Sequence, residues 1–166
     1  SANERIGNRG RGFILGRMPW PYLRAIESRN EMWQTADTVT EHCPFCALPS
    51  GRIVDSNAHG LVVRDAFPVS PGHTLIIPRR HVRSFFDLDS DERVQLLDLL
   101  ESAKRVLEGE FHPHAYNIGI NDGAAAGQTV PHLHIHLIPR YHGDQSDPRG
   151  GVRWIFHEKA DYWSKR

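Results

Sequence analysis

Three histidines in the last quarter of this chain have a spacing that could support catalysis or metal binding. His132, His134 and His136 alternate with apolar residues. Because successive side chains of a β-strand point to opposite faces, the three imidazoles are expected to share one face of a strand over residues 132–138. Histidine is an indifferent strand former, so three in register indicate a function. The pattern leaves two functions open: a metal cluster, or nucleophilic and acid–base chemistry on phosphate.

The loop before these histidines favours the phosphate chemistry. Residues 123–127 are two glycines around three alanines, so their backbone can approach a phosphate closely. Gln128 and Thr129 follow directly and offer side-chain hydrogen bonds to it. We therefore expect an imidazole nucleophile next to a phosphate-binding loop.

Cys43 and Cys46 are the second group that could do chemistry. Two cysteines separated by two residues match half of a tetrahedral zinc site, which needs two more donors. A redox pair and two plain buried thiols are the alternatives. No strand–helix–strand pattern of the thioredoxin type surrounds the cysteines, which disfavours the redox pair.

Composition excludes several classes of function. The chain has 166 residues with 20 basic and 20 acidic side chains, so its formal net charge is zero. This balance provides no field that would hold DNA, and no specific nucleic acid is expected as a partner. No segment approaches the ~18 apolar residues of a membrane span, and the first residues do not resemble a secretory signal. We expect a soluble, cytoplasmic domain that is rich in histidine, with 11 in all.

The elements that must position these side chains are predicted to be short strands and one long helix. Further predicted strands are residues 52–56, 59–65, 73–77 and 116–121. Asp89 or Ser90 begins the helix, whose first turn is acidic. Its apolar residues keep the spacing of a helix: Val94, Leu97, Leu100, Ala103, Val106 and Leu107. One α+β domain follows from this order.

The chain divides into three parts. Residues 1–40 are expected to be an N-terminal extension, a loose arm with a short helix. Residues 41–145 contain all the patterns described above and are expected to form the domain. Residues 146–166 are expected to be a C-terminal tail that packs on the active site or on a partner chain. Arg149 and Arg153 of this tail could close over the outer phosphates of a long substrate, with a plain loop as the alternative.

The chain resembles a known family at these motifs. Residues 132–138, His-Leu-His-Ile-His-Leu-Ile, match the histidine-triad (HIT) signature of three histidines that alternate with apolar residues. The resemblance extends through Gly-Gln-Thr-Val at 127–130 and Pro-Gly-His-Thr-Leu-Ile-Ile-Pro-Arg-Arg-His at 71–81, and covers roughly residues 43–141. These spellings are similar to those of dinucleoside polyphosphate hydrolases, and residues 147–154 and 159–163 resemble bacterial members of the diadenosine tetraphosphate hydrolase type.

The resemblance implies a covalent mechanism. His134 corresponds to the nucleophile, which attacks the α-phosphorus and forms a nucleotidyl-histidine that water hydrolyses. His136 is expected to help the leaving group depart, and Gln128 and His132 complete the expected catalytic set. If His132 instead binds a metal, its role is structural. The expected substrate contacts are Asp65 at the ribose, with His73, Asn121, Gly127, Gln128 and Thr129 around the phosphates.

The resemblance also implies a fold, a metal and a partner. The expected fold is α+β and HIT-like, an antiparallel sheet of about five strands with one long helix. Relatives form two-fold dimers, so we expect a homodimer with a continuous sheet. Mg²⁺ or Mn²⁺ is expected to accompany the polyphosphate. Relatives also bind structural zinc through a cysteine pair and two histidines, which correspond here to Cys43, Cys46, His81 and His132.

The leading hypothesis for the function is hydrolysis of dinucleoside polyphosphates, with diadenosine tetraphosphate cut to AMP and ATP. A phosphoramidase acting on nucleoside phosphoramidates or aminoacyl-adenylates would use the same His134, so the sequence separates these two enzymes poorly. A nucleotide-binding regulatory module is disfavoured by the intact triad. A phosphorylase remains open, and Gln128 favours hydrolysis over it.

Overall fold

The computed structural model of the chain describes residues 43–164. These residues include both residues 132–138, called the histidine segment below, and the cysteine pair Cys43 and Cys46. The extension predicted over residues 1–40 lies outside the described residues. Within 43–164, no helix combines the length and the apolar character that crossing a membrane requires.

Five strands form one open antiparallel sheet, and one long helix follows the third strand. The elements are β1 (Ile53–Ser56), β2 (Gly60–Arg64), β3 (Thr74–Pro78), α1 (Ser90–Phe111), β4 (Ala115–Ile120) and β5 (Ile135–Arg140). The order across the sheet is β1-β2-β3-β5-β4, so β5 inserts between two earlier strands. This arrangement confirms the predicted α+β fold with five strands and one long helix.

Helix α1 begins where the sequence predicts because its first turn is capped reciprocally. The Asp89 carboxylate accepts a hydrogen bond from the Glu92 backbone N–H at 2.8 Å, and the Glu92 carboxylate accepts one from the Asp89 N–H at 3.0 Å. Arg80 donates to both oxygens of the same Glu92 carboxylate, at 2.8 and 2.7 Å. The start of α1 is therefore tied to the residues that follow β3.

The helix packs on one face of the sheet through buried residues at helical spacing: Leu96, Leu99, Ala103 and Leu107. It lies close to β2 at Gly60, where a Cβ atom would be 2.5 Å from the Leu96 side chain. The predicted helix is confirmed, although Val94, Leu97 and Val106 of the apolar pattern are 54%, 50% and 37% exposed. Both sets of residues have helical spacing, and the close contact at Gly60 selects the set with Leu96.

The opposite face of the sheet carries a smaller core and the candidate site. Val63 of β2 and Leu75 of β3 are buried there, and Phe45 and other residues that precede β2 pack over them. Leu75 is paired with His136 of β5, and paired residues share a face. The side chain of His136 therefore lies on this second face, away from α1.

The prediction of a strand over residues 132–138 is wrong for its first three residues, because β5 starts at Ile135. The Leu133 backbone N–H donates to the Val82 carbonyl at 2.7 Å, outside the ladder between β3 and β5. His132, Leu133 and His134 are all buried, so protein covers both sides of this segment. The first two histidines thus precede the strand, and only His136 lies within it.

The segment after β5 reaches back to the sheet. It contains a 3-10 helix, Gly151–Ile155, and a one-turn helix, α2 (His157–Ala160). A Cβ atom on Gly151 would lie 3.3 Å from the Asn117 side-chain nitrogen. Asn117 of β4 is paired with Ile138 of β5, on the same face as His136. The C-terminal segment therefore contacts the face of the sheet that carries the histidines.

We expect Glu92→Gln to lower the free energy of unfolding by about 1–2 kcal/mol at pH 7, because it removes a charged hydrogen-bonded pair. The amide oxygen of glutamine can still cap the helix. The Arg80 guanidinium lowers the pKa of Glu92 from 4.5 to about 2. A carboxylate whose pKa is lowered by folding stabilises the folded chain above its ordinary pKa, and this contribution is lost as the pH falls. Urea unfolding should show the difference between variant and wild type shrinking below pH 4.5.

The matched control is Glu108→Gln, which removes an exposed pair with Lys104 on the same helix. Its effect should stay below about 0.5 kcal/mol. Equal effects of the two substitutions at pH 7, or an effect of Glu92→Gln that does not change with pH, would contradict this account of the helix start.

Candidate active site

The ring of His134 is held by the backbone of its own segment. Its Nδ1 lies 2.8 Å from the carbonyl oxygen of His132. A carbonyl oxygen only accepts hydrogen bonds, so Nδ1 carries the proton and Nε2 keeps a free lone pair. The residue is only 7% exposed, so the ring is fixed and largely shielded from water. A neutral imidazole in this tautomer can attack an electrophile through Nε2.

Phe45 forms an aromatic wall against the histidine segment. Its ring centroid lies 5.2 Å from that of His134 and 5.9 Å from that of His132, and both contacts are edge-on. Sequence reasoning missed this residue. The available signal was its place between Cys43 and Cys46, because any partner that fixes the thiols near His132 also brings Phe45 to the site.

A chain of contacts runs from Asp65 through His73 to His136. His73 Nε2 lies 3.0 Å from His136 Nδ1, and the Asp65 carboxylate lies 3.3 Å from His73 Nδ1. The Val69 backbone N–H also donates to His73 Nδ1, at 3.3 Å. A neutral His73 that accepts from Val69 has its proton on Nε2 and donates it to His136. His73 thus keeps Nδ1 of His136 unprotonated, so the N–H of a neutral His136 lies on Nε2, and the Asp65 carboxylate lies beside the His73 ring.

Burial determines the charge of these rings. It lowers the pKa of His136 to about 4, with smaller contributions from the nearby His134 and His73. Burial also lowers the pKa of His73, against the opposing effect of the Asp65 carboxylate. Both rings are therefore uncharged at neutral pH, so His136 can accept a proton there as well as donate its own N–H.

The glycine loop between β4 and β5 is held by one side chain. The Gln128 side-chain oxygen accepts a hydrogen bond from the Gly123 N–H at 2.9 Å, and its nitrogen donates to the Arg83 carbonyl at 2.8 Å. Gly127 has a φ of 90°, in the left-handed region that favours glycine. Thr129 is exposed, so its hydroxyl is accessible to a ligand. The amide of Gln128 is thus engaged with backbone, while the loop that it holds remains open to solvent.

Four side chains converge at the start of the histidine segment: Cys43, Cys46, His81 and His132. Their potential ligand atoms lie within 4.8 Å of one another. Cys46 Sγ is 3.2 Å from His81 Nδ1 and 3.5 Å from His132 Nδ1. Bonds of about 2.3 Å to sulfur and about 2.0 Å to nitrogen give an S···N edge of about 3.5 Å in a tetrahedral zinc site. The donor types and the size of the group therefore fit a divalent metal.

The surroundings of this group also suit a metal. His132 Nε2 donates to the Pro78 carbonyl at 2.9 Å, which leaves Nδ1 unprotonated and directed at the thiols. Burial lowers the pKa of His132 to about 4 and lowers that of His81, so both rings are neutral donors. Burial and the neighbouring Cys43 raise the pKa of the Cys46 thiol to about 11. A bound cation would reverse that effect by stabilising the thiolate.

The structure brings the predicted site residues into two groups. One is the hydrogen-bonded group Asp65, His73 and His136 beside His134, and the other is the set of four potential metal ligands. Asn121 follows directly on β4 at the start of the glycine loop.

The arginines of the C-terminal segment lie outside both groups: Arg149 donates to Asp147 at 2.7 Å, and Arg153 donates to the Lys159 carbonyl at 2.8 Å. Both guanidinium groups are occupied within the C-terminal segment.

The fold and this pair of groups define a histidine-triad protein. Residues 49–143, more than half of the chain, match the family model described as HIT domain. The chain belongs to the HIT family.

Two relatives carry the names of enzymes. The chain is 46% identical over 80 residues to the asymmetrical bis(5'-nucleosyl)-tetraphosphatase of Schizosaccharomyces pombe. The aligned segment covers 48% of this chain and 44% of that protein. It is 34% identical over 107 residues to the AP-4-A phosphorylase of Mycobacterium tuberculosis, covering 61% of this chain and 55% of that protein. The chain thus spans about half the length of each named enzyme.

A solved structure shares the fold. The zinc-bound histidine triad family protein from Mycobacterium smegmatis superposes with a TM-score of 0.59 at 33% sequence identity. The match covers 65% of this chain and 81% of that one. The metal named for that protein agrees in type with the sulfur and nitrogen donors described above.

Proposed function

We propose that this protein hydrolyses dinucleoside polyphosphates asymmetrically, cutting diadenosine tetraphosphate to AMP and ATP. The observation that carries the proposal is the hydrogen bond from His134 Nδ1 to the His132 carbonyl, which makes Nε2 the nucleophilic atom of the neutral form of this buried ring. The names of the two enzyme relatives supply the substrate class. Dividing one hydrolysis into two in-line displacements lowers the barrier of each.

In the first step, His134 Nε2 attacks the α-phosphorus. The N–P bond forms while the bond from phosphorus to the bridging oxygen breaks, and ATP departs. His136 donates its Nε2 proton to the departing oxygen, while the N–H of His73 stays on its Nε2, 3.0 Å from His136 Nδ1, and donates a hydrogen bond to that atom. The positive charge that forms on the nucleotidyl-His134 ring, whose centroid lies 4.9 Å from that of His136, balances the charge left on His136.

In the second step, water attacks the phosphorus of the nucleotidyl-histidine. The N–P bond breaks, AMP leaves, and His134 returns to its neutral state with its proton still on Nδ1. His136 accepts the proton of the water, which reverses its part in the first step. Each histidine thus ends the cycle as it began.

We assign the phosphate contacts to the glycine loop. The backbone at Gly127 and the hydroxyl of Thr129 are exposed to solvent, and Asn121 begins the same loop. Gln128 supports catalysis by holding the loop in shape through its bonds to Gly123 and the Arg83 carbonyl. Asp65 would meet the ribose next to His73.

Three alternatives involve the same site. In a phosphorylase, phosphate replaces water in the second step, and the relative from M. tuberculosis carries that name. In a phosphoramidase, the first leaving group is an amine. A binding module without turnover fits less well, because binding alone does not require a buried imidazole whose reactive nitrogen is kept unprotonated.

We expect the purified chain to convert diadenosine tetraphosphate to equal amounts of AMP and ATP, measured by anion-exchange chromatography. His134→Asn should lower kcat by a factor on the order of 10⁴ or more, because the nucleophile is lost. His136→Asn should lower it by roughly 10²–10⁴, the usual contribution of a general acid. In H₂¹⁸O the label should enter AMP. The assay is run with and without Mg²⁺ and Mn²⁺ to test the expected role of a divalent cation.

The matched control is His112→Asn, an exposed residue with left-handed backbone that asparagine tolerates. Its kcat should equal that of the wild type. Undiminished cleavage by His134→Asn would refute the covalent mechanism. Formation of ADP that depends on added phosphate would identify a phosphorylase, and faster cleavage of adenosine phosphoramidate would identify a phosphoramidase.

We propose further that Cys43, Cys46, His81 and His132 hold a structural zinc ion. The support is the donor set, the 3.2–3.5 Å distances between sulfur and nitrogen atoms, and the Pro78 carbonyl that orients His132. The ion would tie the segment before β1 to the histidine segment. It has no part in the bond-making steps above.

Elemental analysis of the purified protein should find about one zinc per chain. Cys46→Ser and His81→Ala should lower the zinc content and the melting temperature together, since metal binding stabilises only the folded chain. His134→Asn should keep its zinc, because that residue is next to the group without belonging to it. Wild-type protein without zinc, or equal loss in His134→Asn, would be inconsistent with this site.

We also propose a homodimer in which two β4 strands pair edge to edge. Among the described residues, β4 pairs only with β5, so its other edge is free over six residues. The opposite edge, β1, is four residues long and has a register shift between Ile53 and Asp55. Short irregular edges pair poorly. Ile118 of β4 is 49% exposed, as expected for an apolar residue at an interface.

Light scattering should give about twice the chain mass of 18.9 kDa. Ile118→Asp should reduce it to the mass of one chain, because it places a charge at the proposed interface. Val54→Asp is the matched control, since Val54 is similarly exposed, at 45%, on the other edge strand. A wild type that is monomeric at all concentrations, or equal dissociation by Val54→Asp, would exclude this interface.

A further inference from the structure

The histidine face of the sheet continues beyond His136 into a groove of about 670 Å³. Ile138, the next residue of β5 on that face, lines the groove together with Asn117, its partner on β4. Val152 and Trp154 of the C-terminal 3-10 helix also line it. Pockets of about 300–1,000 Å³ hold small organic ligands. The C-terminal segment thus builds a cavity of ligand size next to the candidate active site.

Two features connect this groove to the reactive histidines. Val69 lines the groove and donates its N–H to His73, the partner of His136. Gly119 is paired with His136 across β4, and nothing lies within 4 Å of where its Cβ would be. The space beside His136 therefore stays open along β4. A phosphate chain bound at the histidines can pass over Gly119 into the groove.

The order of residues along β5 indicates which part of a substrate would lie there. In the proposed reaction His136 supplies the proton of the leaving group, so the leaving group lies on the His136 side of His134. Residues on one face of a strand are about 6.5–7 Å apart, which places Ile138 one step beyond His136. The groove therefore begins where the leaving group of the first step would extend.

The charged residues of the groove are already paired. Arg140 donates to both oxygens of the Asp144 carboxylate, at 2.7 and 2.8 Å. Asp147 accepts from Arg149 at 2.7 Å, and that guanidinium lies over the Trp163 ring, 4.6 Å from its centroid. Every other lining residue is apolar or uncharged. The groove thus offers no unpaired cation to a phosphate group.

The uncharged lining suits a nucleobase. The Trp154 indole N–H donates to the Arg149 carbonyl at 2.7 Å, which holds a ring that is 39% exposed. Nucleobases stack on such aromatic rings, and loss of a stacking ring weakens binding by about five- to hundredfold. Val69 and Val152 supply apolar edges, while Asn117 and Gln145 offer amide groups for hydrogen bonds.

We propose that this groove binds the second nucleoside of a dinucleoside polyphosphate, the one carried by the leaving group. The inference rests on the proposed function, which places the first nucleotide at His134. It makes the C-terminal segment a determinant of specificity: it distinguishes a substrate with nucleosides at both ends from a mononucleotide with the same number of phosphates.

The test compares diadenosine tetraphosphate with adenosine 5'-tetraphosphate, which lacks only the second nucleoside. Affinities are measured by calorimetry in the His134→Asn background, so that neither ligand is cleaved. Val152→Trp fills the groove and should weaken binding of diadenosine tetraphosphate at least fivefold, while binding of adenosine 5'-tetraphosphate changes less than twofold. Trp154→Ala should have the same selective effect. Ile155→Trp, on the same 3-10 helix but outside the groove lining, should change neither affinity.

Equal weakening of both ligands by Val152→Trp, or no weakening of either, would overturn the proposal. Val152→Trp and Trp154→Ala in the wild-type background should lower kcat/KM only for diadenosine tetraphosphate, and Ile155→Trp should lower it for neither compound. If the wild type cleaves neither compound, the proposed function fails, while the selective loss of affinity still decides whether the groove binds the second nucleoside. Circular dichroism of each variant confirms that the C-terminal substitutions leave the fold intact.

Discussion

A single residue, His132, couples the two functional groups of this protein. Its carbonyl oxygen accepts the Nδ1–H of His134 and so determines which nitrogen of that ring can react. Its own ring faces the thiols of Cys43 and Cys46 and donates to the Pro78 carbonyl. A rotation of this residue would therefore disturb both the group of four potential metal ligands and the hydrogen bond to His134. Cys43 Sγ lies 3.4 Å from His132 Nδ1 and 89 residues earlier in the chain, so a contact between distant segments joins the two groups.

Features that depend on local spacing could be predicted from the sequence. The capped start of α1 at Asp89 and the places of most of the short strands follow from neighbouring residues, whereas the antiparallel sheet was expected from the family resemblance. The convergence of the cysteine pair with His81 and His132 came from resemblance to relatives, since spacing alone supplies only half of such a site. The match to the HIT family model covers residues 49–143, which include His81 and His132 but not the cysteine pair.

The remaining features depend on contacts between distant segments. Two stripes of apolar residues along α1 have the same spacing, and only the contact of Leu96 with Gly60 selects one of them. The late start of β5 follows from the bond between Leu133 and Val82, which competes with the ladder. The amide of Gln128 suits phosphate by type, but the carbonyl of Arg83 already engages it. In each case the deciding partner lies far away in the sequence, where no pattern of neighbouring residues reveals it.

The central place of β5 has a consequence for how the molecule is made. Strands β3 and β4 are both synthesised before β5, yet they are not neighbours until β5 enters between them. A nascent chain that ends before residue 135 has a β4 strand without any partner and a three-stranded sheet with an open edge. Pairings across such a long stretch of chain form slowly. The sheet is therefore completed by the strand that carries His136, so a polypeptide that ends before β5 lacks the candidate site until its fold is closed.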